Sequence, residues 1–136
     1  MSLDLVFGPQ VVEWVVSRID DFGPLTGCEG IGFASSGRIV AGAVYNNFRG
    51  HDIQLSFASE DPRWATKGNI RAVFHYPFEQ LGCVRVTAIT SKANRRARRL
   101  IEGVGFKMEG VHPKAWDGRQ TAISYGIAKE NCKWLR

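Results

Sequence analysis

Residues 52–89 read DIQLSFASEDPRWATKGNIRAVFHYPFEQLGCVRVTAI, and this stretch decides the fold. Its first part, residues 52–58, alternates between apolar and polar or small side chains, a period of two that predicts a strand. From Asn69 the apolar positions recur at intervals of three and four, which predicts an amphipathic helix. Residues 83–89 again predict a strand. A strand, a helix and a second strand in this order predict a right-handed crossover between parallel strands.

The flanking segments extend this pattern on both sides. The order β, α, a three-stranded meander, α, β, α, β, β predicts an α/β fold, with a mixed sheet of about six to seven strands and helices on both faces. At 136 residues the chain has the length of one domain. The elements predicted outside residues 52–89 are a strand over residues 3–7, a helix from Pro9 to Ile19, a hairpin from Gly30 to Tyr45, a helix over residues 92–102, and strands over residues 105–111 and 121–128.

The composition narrows the class of protein without choosing a ligand. A net charge of +5 and a pI near 9.4 suit an anionic ligand, a nucleic acid or an acidic protein. Cys28, Cys83 and Cys132 are far apart and form no CxxC pair, so neither a disulfide framework nor a metal site is expected. The N-terminus lacks a signal-peptide pattern and no stretch approaches the ~20 apolar residues of a membrane span. We therefore expect a cytoplasmic protein with no membrane partner.

The segment between the strand and the helix is the most informative candidate site. Residues 63–68, RWATKG, place small residues and a glycine just before the helix. Backbone N–H groups there are expected to converge on an anion such as a pyrophosphate, and Arg63 and Lys67 add positive charge. The alternative is an exposed loop whose cations are merely solvated. The segment matches neither a Walker A loop nor GxGxxG, which disfavours nucleotide hydrolysis and dinucleotide binding.

Three motifs together resemble the GNAT acetyltransferases. Residues 63–68, R-x-x-T-x-G, resemble the [RQ]-x-x-G-x-[GA] acyl-CoA pyrophosphate loop of that family, with threonine in place of the first glycine. Residues 94–106, N-x-x-A-x-x-L followed by GF, are similar to the signature of its last helix. FKMEG at residues 106–110 and DGR at residues 117–119 resemble the ribosomal-protein N-acetyltransferase branch. The resemblance covers about residues 37–128, and the N-terminal region is shortened to one helix.

The resemblance implies a GNAT-like sheet and a single acyl-CoA N-acyltransferase-like domain over residues 1–136. It implies acetyl-CoA as co-substrate, no metal, and direct attack of a primary amine, on a small molecule or a protein N-terminus, on the thioester. A homodimer is a further expectation, and a nucleic-acid partner is not expected. One alternative is a binding module that has lost catalysis, because Thr66, Ala97 and Ile101 stand where the family has more typical groups. The least favoured alternative is a basic nucleic-acid-binding domain, suggested by the arginines at residues 95–99.

The resemblance also implies roles for individual residues. The backbone N–H groups of Phe57 and Ala58 would bind the oxyanion, at a bulge that splays their strand from residues 83–89. The general base would be Glu60 or Asp52, with His51 also considered. The tyrosine that many relatives use as general acid is absent, which leaves Tyr125 or Ser91. The implied coenzyme-binding residues are Phe57, Ala58, Arg63, Trp64, Ala65, Thr66, Lys67, Gly68, Asn69 and Asn94.

Overall fold

Seven strands form one mixed sheet in the order β1-β2-β3-β4-β5-β7-β6 in the computed structural model, which describes residues 3–19, 23 and 27–136. The predicted α/β architecture is therefore confirmed. The strands are β1 (Asp4–Phe7), β2 (Glu29–Ser35), β3 (Arg38–Asn46), β4 (Asp52–Ser59), β5 (Arg85–Ser91), β6 (Lys107–His112) and β7 (Ala122–Ala128), and the helices are α1 (Pro9–Val16), α2 (Lys67–His75) and α3 (Arg95–Gly103).

The strand directions follow from the connections. The pairs β1–β2, β2–β3 and β3–β4 are antiparallel, and so are the pairs β5–β7 and β7–β6. β4 and β5 are the parallel pair, because α2 carries the chain across the sheet between them. This confirms the predicted crossover. Their pairing is short, with residues 52–54 of β4 beside residues 85–87 of β5.

The helices cover both faces of the sheet, as predicted. On one face, Val11 and Val15 of α1 pack with Val44 of β3. A Cβ at Gly42 would lie 2.8 Å from a methyl carbon of Val15, so α1 approaches β3 this closely only over a glycine. On the opposite face, α2 and the partly buried side of α3 pack in the larger core cluster, which includes Tyr45 of β3. In the part of the chain that is described, no helix is long and apolar enough to cross a membrane.

Both α2 and α3 begin at positions set by a capping side chain. The Thr66 hydroxyl accepts a hydrogen bond from the Asn69 N–H, so α2 begins at Lys67, before the predicted Asn69. The carboxamide of Asn94 caps α3 in the same way, so this helix begins at Arg95 and not at residue 92. The helices were predicted, and their first residues follow from the caps.

The chain between α2 and β5 departs further from the prediction. Pro77 cannot donate the backbone hydrogen bond of a regular helix, and the chain there passes from α2 into a π-helical turn, Tyr76–Gln80. The prediction that Cys83 lies in the following strand is wrong, because β5 begins at Arg85. Cys83 is instead buried just before the strand, where its N–H donates to the carbonyl of Pro77.

Candidate functional site

The centre of the sheet contains a split between β4 and β5. The two strands pair up to Gln54 and Thr87 and no further, although β4 continues to Ser59 and β5 to Ser91. Beyond this point, residues 55–59 of β4 stay paired with β3 and residues 88–91 of β5 stay paired with β7. The split therefore opens two strand edges inside a sheet.

The hydrogen-bond pattern shows which backbone groups face the split. The Glu60 N–H donates to the Val40 carbonyl, and because strand backbone groups alternate sides, the even-numbered residues of β4 bond to β3. The odd-numbered ones, including Phe57, then point toward β5. On β5, the Lys92 N–H donates to Thr121, so odd-numbered residues such as Ile89 point back toward β4. Such edges bind extended partners through main-chain hydrogen bonds.

A predicted bulge in β4 is not the cause of the split. Residues 41–46 of β3 pair with residues 54–59 of β4 in continuous register, with no shift over these residues. β4 therefore separates from β5 while keeping a regular pairing with β3. The Ala58 N–H, predicted as an oxyanion donor, belongs to the β3 side of β4, whereas the Phe57 N–H faces the split.

A cleft of about 1160 Å³ passes through the split and opens on both faces of the sheet. Because two backbone edges line the part of the cleft that lies in the split, a long thin ligand that can bond to both suits it. Its lining on the α1 face includes Arg18, Asn46, Gln54, Ser56 and Glu60, and on the α2 and α3 face it includes Trp64, Ile70, Phe74, Asn94, Ala97 and Ile101.

Glu60 lies in the α1 half of the cleft and is paired with arginine. The Nε of Arg18 donates to a Glu60 carboxylate oxygen at 2.8 Å, and Arg38 lies 3.8 Å from the other oxygen. The Arg18 guanidinium also lies 3.7 Å above the Trp14 ring and donates to the Trp14 carbonyl. Glu60 is the one carboxylate among the described residues that line the cleft.

Asp52, the other predicted base, lies at the closed end of the split and does not line the cleft. Its carboxylate accepts from the Thr87 hydroxyl at 2.9 Å and lies 3.5 Å from the Nε of Arg85. Arg85 in turn donates to Glu109 at 2.6 Å. Asp52 therefore joins β4 to β5 where they still pair. His51 is exposed on the turn before β4.

Part of the predicted anion-binding loop is already hydrogen-bonded to the neighbouring Asp61 carboxylate. The Asp61 carboxylate accepts from the N–H of Arg63 and, at 2.6 Å, from its guanidinium. Arg63 thereby holds the pKa of Asp61 below its usual range, so the carboxylate is charged at neutral pH. A negative charge thus stands beside the loop, and Arg63 is turned toward it.

Two backbone N–H groups at the start of α2 are available to donate to a ligand. The N–H groups of Ala65, Thr66 and Asn69 donate within the loop. Those of Lys67 and Gly68 have no acceptor among the described residues. No atom lies within 4 Å of the place where a Gly68 Cβ would be, so this end of the helix is open. The free groups and the Lys67 charge fit a phosphate here.

Several of the remaining predicted coenzyme residues also make contacts within the protein. Trp64 is buried, with its ring 4.2 Å from the ring of Phe57, and it forms part of the cleft wall. The side-chain amide of Asn69 donates to the Trp64 carbonyl at 2.9 Å. Asn94 caps α3 through its side-chain oxygen, which leaves its NH₂ group for a ligand in the cleft.

Tyr125, the predicted general acid, is not part of the cleft lining. Its buried hydroxyl donates to Glu102 at 2.8 Å and accepts from the Nε of Arg98 at 3.0 Å, both on α3. Burial is the main cause of the raised pKa of this phenol. Ser91, the other candidate, is buried at the cleft wall.

Arg18 is a site residue that no sequence pattern predicted. It follows α1 and meets Glu60 across a separation of 42 residues, and no local pattern predicts such a pair. Its neighbour Trp14 lies four residues earlier, the spacing that stacks side chains on a helix, which is the one signal available. Among the described residues, no group of histidine, cysteine or carboxylate side chains is arranged to hold a metal.

Solved acetyltransferase structures have this arrangement of strands and helices. A variant of the spermidine N-acetyltransferase SpeG from Vibrio cholerae matches with a TM-score of 0.76 and 12% identity, over 99% of this chain and 97% of that one. This chain has the GNAT acetyltransferase fold. The ribosomal-protein-S18-alanine N-acetyltransferase from Escherichia coli matches at 0.64 and 17%, over 93% of each chain.

Other matches are to longer chains. A GNAT-family acetyltransferase from Bacillus anthracis matches with a TM-score of 0.62 and 16% identity, over 76% of this chain and 66% of that one. A probable acetyltransferase matches over 77% of this chain and 63% of that one. This GNAT-fold chain thus spans less than two thirds of those proteins. No family model and no curated protein matches its sequence.

Proposed function

We propose that this chain is an acetyl-CoA-dependent N-acetyltransferase, formed by a single acyl-CoA N-acyltransferase-like domain over residues 1–136. The observation that carries the proposal is the split between β4 and β5, where unpaired backbone groups of Phe57 and Ile89 line a cleft that is open on both faces. An acyl-pantetheine arm is long, thin and rich in amides, so it can lie between the two edges like a short strand. The fold shared with solved acetyltransferases supports this choice.

The ends of the cleft suggest how the coenzyme would be oriented. The free N–H groups of Lys67 and Gly68 and the Lys67 ammonium lie at the start of α2, where they would bind the pyrophosphate. The Asn94 carboxamide lies along the α3 side of the cleft and would hydrogen-bond the arm. The thioester would then reach the α1 half, which contains Glu60.

The chemistry needs a deprotonated amine and a stabilised oxyanion. The amine nitrogen attacks the thioester carbon, the carbonyl electrons move onto oxygen, and the C–S bond then breaks to release the thiolate. The Phe57 N–H faces the split and would donate to the oxyanion. Glu60 would accept the ammonium proton, directly or through a water. The thiolate would take a proton from Ser91 or leave without a protein acid.

The acceptor would be a primary amine on a small molecule or a protein N-terminus. The α1 half of the cleft presents carboxamides from Asn46 and Gln54, and its one described carboxylate, Glu60, is already paired with Arg18. A polyamine is poorly served by such a surface, because several positive charges would meet one neutralised carboxylate. The cytoplasmic location and the homodimer remain predictions.

Coenzyme binding tests the proposal most directly. We expect acetyl-CoA to bind saturably in a calorimetric titration and to raise the unfolding temperature. Gly68→Glu should weaken binding more than about tenfold, because a bulky acid would fill the open helix start and repel the phosphates. Gly103→Glu, at the exposed end of α3 and equally free of neighbouring atoms, is the matched control and should bind normally.

Two outcomes would decide against the proposal. If millimolar acetyl-CoA produced neither heat nor a thermal shift, the coenzyme site would be refuted. If the coenzyme bound normally but no amine in a broad panel were acetylated, the chain would be a binding module. Ala97 and Ile101, which line the cleft and cannot donate protons, give that second outcome its structural basis.

A further inference from the structure

A group of cations on α3 and just before it forms a surface that the acyl-transfer proposal does not use. Lys92, Arg95 and Arg99 are exposed, and Arg98 is half-buried. Arg95 and Arg99 lie four residues apart and therefore on the same side of the helix. We call these four residues the basic surface.

Lys92, Arg95 and Arg99 form no ion pair with the described residues, whereas Glu102 attracts the Arg98 guanidinium. No carboxylate of the described residues lies within salt-bridge distance of Lys92, Arg95 or Arg99. Arg98 is held by two neutral groups, the Tyr125 hydroxyl and the Lys92 carbonyl. Side chains of like charge this close repel one another, so an external polyanion would be attracted here.

The shape of the surface brings it next to the candidate active cleft. Lys92, Arg95 and Arg98 surround a shallow pocket of about 400 Å³, together with Gln120 and Thr121 of the connection between β6 and β7. Gln120 also lines the main cleft. The basic surface therefore continues to the cleft mouth.

An aromatic ring lies at this junction. Trp116 is half-buried and lines the cleft beside Gln120, whose carbonyl accepts from the Trp116 N–H. Cations that follow a phosphate backbone and a ring on which a base stacks are the two elements of single-strand recognition. An acidic polypeptide would use the cations but not the ring.

We propose that the basic surface binds a single-stranded nucleic acid, with backbone phosphates on Lys92, Arg95 and Arg99 and one base stacked on Trp116. Sequence alone disfavoured a nucleic-acid partner, because a net charge does not show where the cations lie. The structure gathers Lys92, Arg95 and Arg98 around one pocket, and Arg99 follows Arg95 by one helical turn. The opposite side of α3 packs against the sheet through Leu100 and Ile101, so only the cationic side is available to a ligand.

The test measures binding of the full chain to a labelled single-stranded RNA of about 12 nucleotides by fluorescence anisotropy. Arg95→Glu/Arg99→Glu should weaken binding more than about tenfold and make the slope of log affinity against log salt shallower by about 1.4, for two phosphate contacts of ~0.7 each. Trp116→Leu should weaken binding about tenfold with an unchanged salt slope. Unfolding temperatures that match that of the unchanged protein would establish that the variants fold. If Arg95→Glu/Arg99→Glu does not fold, Arg95→Gln/Arg99→Gln takes its place.

The matched control is Arg49→Glu/Lys107→Glu, which reverses the charge of two exposed cations elsewhere on the chain. This control should keep at least half of the affinity of the unchanged protein. Equal losses in both double variants would overturn the proposal, since binding would follow net charge alone. Equally tight binding of polyglutamate or of duplex DNA would also overturn it. So would a tenfold loss of acetyl-CoA affinity in Arg95→Glu/Arg99→Glu, which would assign these cations to the coenzyme. These readouts do not depend on acetyl transfer.

Discussion

At the scale of single residues, two carboxylates close in sequence have different tasks. Asp52 accepts from Thr87 and lies beside Arg85, so it holds β4 against β5 at the closed end of the split. Glu60, eight positions later, lies in the open cleft and is held by Arg18. Position along the chain, at the first residue of β4 or just past its end, thus separates a carboxylate that joins the strands from a candidate base.

Glu60→Gln tests the role of the cleft carboxylate. Turnover of an accepted amine should fall about 100-fold, because a carboxamide cannot take the ammonium proton. Calorimetry should give an unchanged acetyl-CoA affinity, since Glu60 lies in the other half of the cleft. Glu13→Gln, which changes an exposed carboxylate on α1, is the control and should retain full turnover. Normal turnover in Glu60→Gln would remove this residue from the mechanism.

Tyr125→Phe separates a structural tyrosine from a catalytic one. The variant leaves Glu102 and Arg98 without the hydroxyl between them and should lower the free energy of unfolding by about 1 kcal/mol. Urea denaturation measures this. Turnover should be unchanged, because the hydroxyl does not reach the cleft. A loss of turnover with unchanged stability would restore the general-acid role that the sequence suggested.

The residues of the site were less predictable than the strands. The family resemblance suggested Glu60 and Phe57, and both line the cleft, although their roles remain predictions. Arg18 was missed because its partner is distant in sequence and no periodicity connects them. Tyr125 lies on the predicted last strand, but its hydroxyl bonds to α3 and does not line the cleft, because alternation along β7 does not show how far a long side chain reaches.

At the scale of elements, periodicity predicted the strands and helices, and side-chain chemistry set their ends. Thr66 and Asn94 begin α2 and α3 by accepting backbone hydrogen bonds, which shifts each start by two or three residues. The π-helical turn after α2 contains Pro77, which cannot donate to the carbonyl four residues before it. Caps and turns of this kind depend on one side chain, so an averaged pattern misses them.

Asp61→Asn tests whether the negative charge of Asp61 weakens acetyl-CoA binding at the loop before α2. Asparagine can still accept from the Arg63 N–H, so the turn should persist. The charge beside the phosphate site would disappear and the Arg63 guanidinium would be released. Acetyl-CoA should therefore bind about threefold more tightly in calorimetric titrations at low salt, with a smaller gain at high salt. Asp4→Asn, on the exposed edge strand β1, should have no effect, and a weaker affinity of Asp61→Asn would show that the carboxylate supports the site.

At the scale of the whole molecule, the sheet consists of two halves. β1 to β4 form one half and β5 to β7 the other, and they share a short parallel pairing at residues 52–54 and 85–87. The Asp52–Thr87 hydrogen bond reinforces this joint. A ligand between the halves would complete the sheet, so binding energy and stability should be coupled across the split.

Hydrogen exchange resolved by residue measures that coupling, with adjacent amides as internal controls. In the free protein the Phe57 N–H should exchange more than about tenfold faster than the Ala58 N–H, because Phe57 faces the split and Ala58 faces β3. Acetyl-CoA should slow Phe57 and Ile89 selectively and leave Ala58 nearly unchanged. Equal protection of Phe57 and Ala58 without ligand would mean that the strands close in solution. Protection that appeared on acetyl-CoA binding at α2 but not at Phe57 would place the acyl arm outside the split.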